Sequence, residues 1–141
     1  MSRILVMLLL GAATASAWAG ARSGAGQLTC NEDGSQAELN ACAADEWAAA
    51  DADLNAAWRQ VLARHKDNRL AIEKLRAAQR QWIRLRDADL EALFPLAEGQ
   101  QAYVEYGSMY PLLFHSAKAR ATRERTRYLR DAFLQSDTDG Q

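Results

Sequence analysis

The sequence predicts an all-α protein, an antiparallel bundle of three principal helices with a disulfide-stapled arm at its N-terminus. Three observations carry that expectation. Ala, Leu, Arg, Glu and Gln dominate the 141 residues, while only eight glycines and two prolines interrupt them, a composition that favours helix. Apolar residues recur every three or four positions over three long stretches. Start and stop signals punctuate those stretches at Ser35, at Asp67-Asn68, at Pro95 and at Ser108, where capping residues and prolines belong.

The first 19 residues read as a secretion leader. Arg3 is the sole charge, an apolar run extends from Ile4 to Ala13, and Ala15-Ser16-Ala17 supplies the small residues of a signal-peptidase site. The run is well short of the roughly 20 residues that span a bilayer, so no membrane partner is expected once the leader is cleaved. What remains is a single domain over residues 30–134 in a periplasmic or secreted protein. Cys30 and Cys42 are the two cysteines of the chain. In an exported protein such a pair most simply forms one disulfide, tying the N-terminal arm to the first helix.

Ser35-Gln36-Ala37-Glu38 has the Ser-x-x-Glu form of a capping box. The helix it opens carries an inner stripe of Leu39, Cys42, Glu46 or Trp47, Ala50, Leu54, Trp58, Val61 and Leu62 and should end near Lys66. Its first half is acidic, with Glu38, Asp45, Glu46, Asp51 and Asp53, and its end is basic. The second helix, capped by Asp67-Asn68 and running from about Leu70 to Leu93, begins basic and closes on Asp87, Asp89 and Glu91. The short connection predicts antiparallel neighbours whose opposite charges face each other. On the second helix Leu75, Gln79, Trp82, Arg86 and Leu90 share one stripe. Gln79 and Arg86 therefore need partners inside, and Asp51 or Asn55 of the first helix are the leading candidates for a structural polar core.

Pro95 ends the second helix. Glu98 to Gly107 shows neither helical stripe nor strand alternation and reads as the longest irregular segment. Long connections in compact domains are often functional, so Glu98, Gln100, Gln101, Tyr103 and Glu105 are the candidate partner-binding residues. Ser108 is placed to cap a third helix, with Pro111 in its first turn and Leu112, Leu113, Ser116, Ala119, Thr122, Thr126, Leu129 and Phe133 on its inner face. The tail from Ser136 should fray.

Several function classes fall away. A formal net charge of −1 lacks the basic surplus of a nucleic-acid binder. His65 and His115 sit on helical patterns with no serine or cysteine nucleophile placed beside them, so the chain is not read as an enzyme. No spacing suits a metal, and no cofactor is expected. Trp47, Trp58 and Trp82 fall on inner stripes and read as core.

The arrangement resembles the LprI-like lysozyme-inhibitor domain of exported bacterial proteins. The residues that carry the resemblance are Cys30 and Cys42 before Asp51-x-x-Leu54-Asn55, then Leu75-x-x-x-Gln79-x-x-Trp82-x-x-x-Arg86-Asp87, Gly107-Ser108 before a helix, and Arg125-Thr126-x-x-Leu129. It extends from Cys30 to about Leu129. One departure stands out: the family commonly has a second cysteine pair, and Leu90 and Ala117 occupy those positions here, which fits an apolar contact in place of the staple. The resemblance implies a bacterial envelope protein and, for the member that names the family, inhibition of host lysozyme. The other reading is a periplasmic binding or structural module with a different cell-wall or protein partner and no catalytic activity.

Overall fold

The computed structural model describes residues 30–31 and 33–135; the expected leader and the tail from Ser136 lie outside the described residues. Four α-helices follow in order: α1 (Gln36–Arg64), α2 (Arg69–Leu93), the short α3 (Ala102–Tyr106) and α4 (Tyr110–Phe133), with a 3-10 turn at Gly107–Met109. Among the described residues there is no strand. The three long helices are those the periodicity predicts.

Ser35 opens α1 through a complete capping box: the backbone N–H of Ser35 donates to Glu38 Oε2 at 2.7 Å, and Ser35 Oγ accepts from the Glu38 N–H at 3.4 Å. The side-chain and backbone bonds from Ser35 hold the Glu38 carboxyl below its usual range. Cys30 and Cys42 are disulfide-bonded, with Cα atoms 5.7 Å apart, which ties the arm to the second turn of α1. Closing a loop of this size contributes roughly 3 kcal/mol through the unfolded state. Asn68 caps α2 by accepting from the Ala71 N–H at 2.9 Å, and α2 stops two residues before Pro95.

The packing order departs from the sequence expectation. α1 and α2 do run in opposite directions, yet the backbones that lie side by side are those of α1 and α4, while α2 stands farther out. α1 and α4 are parallel: Asn40 touches Ser108 and Leu112 near their starts, Trp47 stacks on His115, and Arg64 reaches the Leu134 carbonyl near their ends. The physical reason is side-chain size. Buried Ala43, Ala50 and Ala57 recur every seven residues on α1, facing Ala119, Thr122 and Thr126 on α4, and all six are 5 % exposed or less. Small residues at heptad spacing let two helices approach closely along a continuous seam. The hydroxyls in that seam bond back along their own helix, Thr122 to the Lys118 carbonyl and Thr126 to that of Thr122, so burial leaves no donor unmet.

α2 joins through longer side chains. Leu75 completes a buried cluster with Leu54, Val61 and Leu129, and Trp58, Trp82 and Phe133 pack against it. The polar residues on its inner stripe find partners other than those expected. Gln79 Oε1 accepts from Arg125 Nε of α4 at 3.0 Å. Arg86, its side chain 11 % exposed, lays its guanidinium 5.2 Å from the centre of the Trp82 ring and donates to the adjacent Asp87. Asp51 and Asn55 bond to each other at 2.9 Å rather than to Arg86. The α1 side chains that reach this stripe are apolar, Leu54 and Val61 at Leu75, while Asp51 and Asn55 make no bond to Gln79 or Arg86.

Charge pairing follows the same logic. The acids of α1 meet cations of α4, not of α2: Glu46 with Arg123 at 3.8 Å, and Asp53 with both terminal nitrogens of Arg130.

The start of α4 corrects a second expectation. Ser108 lies in the 3-10 turn, and Met109, at the N-cap, makes no side-chain cap bond. Asn40 of α1 serves instead: its Oδ1 accepts from the Leu112 N–H at 3.2 Å and its Nδ2 donates to the Ser108 carbonyl at 3.0 Å. One helix thus caps another across the seam. Asn40→Ala should lower stability by about 1 to 2 kcal/mol, and hydrogen exchange at Leu112 should quicken more than at Leu129. Equal protection of Leu112 in the variant would contradict the cap.

Candidate interaction surface

The connection between α2 and α4 is a built element rather than an irregular loop. Phe94, which ends α2, stands edge-on to Tyr106 and Tyr110 with centroids 5.7 and 5.6 Å away, and Tyr106 stacks on Tyr110. The Tyr106 hydroxyl donates to the Pro95 carbonyl at 2.7 Å. Gly107, with φ of 69°, turns the chain from α3 into the 3-10 segment in a conformation that favours glycine. The sequence signal for this closure is Tyr106, Tyr110 and Phe114 at every fourth position, which Phe94 joins from the end of α2.

The candidate residues fall into two groups. Gln100 is engaged inside the connection, accepting from the Ala97 N–H at 2.7 Å and donating to Glu105 at 3.4 Å. Glu98 and Gln101 are exposed, and Tyr103 is 61 % exposed. Val104, which periodicity does not single out, is 79 % exposed. The signal for it is an apolar Tyr-Val pair within a polar run. Leu96, Met109 and Leu113 of the same end are also exposed.

Beside the connection, between α2 and α4, lies a cleft of about 580 Å³ lined by Asp87, Glu91, Phe94, Tyr110, Phe114 and Lys118. Leu90, where the family commonly has cysteine, is buried in its wall, and Ala117 is half-buried. Behind the cleft Trp47 and His115 stack with centroids 5.6 Å apart, and Lys118 Nζ rests 4.0 Å from the centre of the Trp47 ring. Trp47 is thus half-buried beneath a lysine.

Burial, and then the positive charge of Lys118, lower the pKa of His115 from its ordinary 6.5. The folded state therefore binds fewer protons than the unfolded chain near that value. Stability from this group is complete above the ordinary histidine pKa and is lost as pH falls through it toward the lowered one. The urea midpoint should drop as pH falls below the ordinary histidine value, and His115→Phe, which keeps a ring on Trp47, should flatten part of that drop. An identical pH profile in the variant would exclude His115 as the cause.

Electrostatics distinguish this end of the molecule. From Asp87 to Ala117 there are five acids, Asp87, Asp89, Glu91, Glu98 and Glu105, and no lysine or arginine. Because α1 runs parallel to α4, the acidic half of α1 lies at the same end. No three His, Cys, Asp or Glu side chains converge as metal ligands among the described residues. The surface offers exposed apolar and aromatic groups set in negative charge, which is the make-up of a docking surface for a basic protein.

The family model described as lysozyme inhibitor LprI matches residues 29–129. An uncharacterized protein of Rhizobium meliloti (strain 1021) is 37 % identical over 113 residues, covering 72 % of this chain and 76 % of that protein. No solved structure matches. With the matched span taking in the disulfide, α1 to α3, the aromatic connection and α4 as far as Leu129, the chain belongs to the LprI lysozyme-inhibitor family.

Proposed function

We propose that this chain is an exported bacterial protein that inhibits lysozyme through the connection between α2 and α4. The reading includes removal of a leader over residues 1–19, a single domain over 30–134, and a periplasmic or secreted location. The observation that carries it is the coincidence, in a member of this family, of exposed Tyr103 and Val104 with the most acidic end of the molecule. Lysozyme is a basic enzyme whose cleft holds two catalytic carboxylates. Acid on the inhibitor steers the encounter, but a carboxylate entering the cleft would be repelled by the enzyme's own. Neutral Gln101, Tyr103 and Val104 therefore enter, while Glu98 and Glu105 flank them and meet the cationic rim. Gln100 holds the connection in shape.

The test is lysis of a peptidoglycan suspension by lysozyme with the mature protein added. Tyr103→Ser with Val104→Ser should weaken inhibition about thirtyfold or more, as loss of central contacts does, with unchanged helix content. The association rate should fall with added salt. Absence of inhibition by the wild type at high concentration would reject the proposal in favour of a periplasmic module with another partner, and full inhibition by the double variant would move the contact elsewhere.

A further inference from the structure

The end of the bundle opposite the connection is basic. Between Arg59 and Arg80 the chain carries seven cations, with Arg64, Lys66, Arg69, Lys74 and Arg76 between those two, against Asp67 and Glu73. The last turns of α1, the 65–68 turn and the first half of α2 bring them together, and all seven are exposed. The sequence expectation sets the acids of α1 against the cations of α2. The structure gives Glu46 and Asp53 to α4 instead, and among the described residues none of the seven cations belongs to an ion pair. Nor does the charge serve α2, whose first turn holds Arg69 and no acid, the sense that the helix dipole disfavours. At the tip, beside Arg69 and one turn from Lys74, Leu70 is 64 % exposed.

We propose that this basic tip docks on an anionic lipid surface, its cations meeting headgroup phosphates and Leu70 entering the boundary with the acyl chains. Charge complementarity selects an anionic partner, and Leu70 selects a bilayer over a soluble polyanion, which has no apolar layer to receive it. None of the described helices is long and apolar enough to cross a membrane, so the contact is one with the membrane surface. Docking in this way turns the acidic end outward. The proposal does not depend on lysozyme inhibition.

The experiment is co-sedimentation of the mature protein with vesicles of phosphatidylcholine alone or with about one third phosphatidylglycerol. Binding is expected only to the anionic vesicles, and high salt should release it. Lys66→Glu with Arg69→Glu and Lys74→Glu should lower partitioning on the order of a hundredfold, and Leu70→Ser about threefold to tenfold. Should the triple variant fail to fold, Arg76→Gln with Arg80→Gln replaces it, with an expected loss of about tenfold to thirtyfold. Equal binding to neutral vesicles, or wild-type binding by the charge variants, would overturn the proposal. So would binding to soluble polyphosphate as tight as to vesicles with no effect of Leu70→Ser, because that pattern belongs to a polyanion site.

Discussion

Leu129→Ala should destabilise the folded chain by about 3 to 5 kcal/mol, a large share of the stability of a domain this size. Leu129 is fully buried in the cluster where Leu54 and Val61 of α1, Leu75 of α2 and Leu129 of α4 meet. Removing its side chain leaves a cavity bounded by all three long helices, which cannot collapse without moving one of them. Urea denaturation followed by circular dichroism measures the loss as a lower midpoint at unchanged slope. A cost below about 1 kcal/mol would mean that the three helices do not converge on this residue.

Ala119→Leu should cost about 3 kcal/mol for the opposite reason. Ala119 is fully buried in the seam between α1 and α4, where small residues let the two backbones lie side by side. A leucine there has no space to enter and must push the helices apart, breaking the Asn40 cap and loosening the Trp47–His115 stack that depend on the same approach. The same change at Ala48 or Ala52, exposed on α1, should be nearly neutral, since leucine is a good helix former. Destabilisation of equal size at all three positions would show that the seam does not set the spacing.

Periodicity places both Leu129 and Ala119 on the inner face of α4. Leu129 is legible, because a leucine on an inner stripe is read as core by spacing alone. Two of the four seam alanines are not. Ala43 and Ala57 carry a small hydrophobic signal, so a reading of α1 by spacing settles on Cys42 and Trp58 instead, one position away on the helix. The heptad recurrence of alanine at positions 43, 50 and 57 is the available clue. It marks a face of α1 that admits a close neighbour, without saying which helix takes that place.

The candidate surface divides in the same way. Its position between α2 and α4 is visible as a break in periodicity near Pro95. Its internal order is not, because Phe94, Tyr106 and Tyr110 pack across elements and Gln100 folds back on Ala97, contacts with no fixed spacing along the chain. Val104 emerges only when the short α3 turns its side chain outward.

By itself the sequence determined the helical class, the capping box at Ser35, the asparagine cap at Asn68, the stop before Pro95 and the cysteine pairing. All of these depend on residues close in the chain, whose geometry local stereochemistry dictates. Only the tertiary structure decided which helices touch and which carboxylates meet which guanidinium groups. Those outcomes depend on how near two backbones can come, and that distance is set by the summed sizes of side chains on different helices.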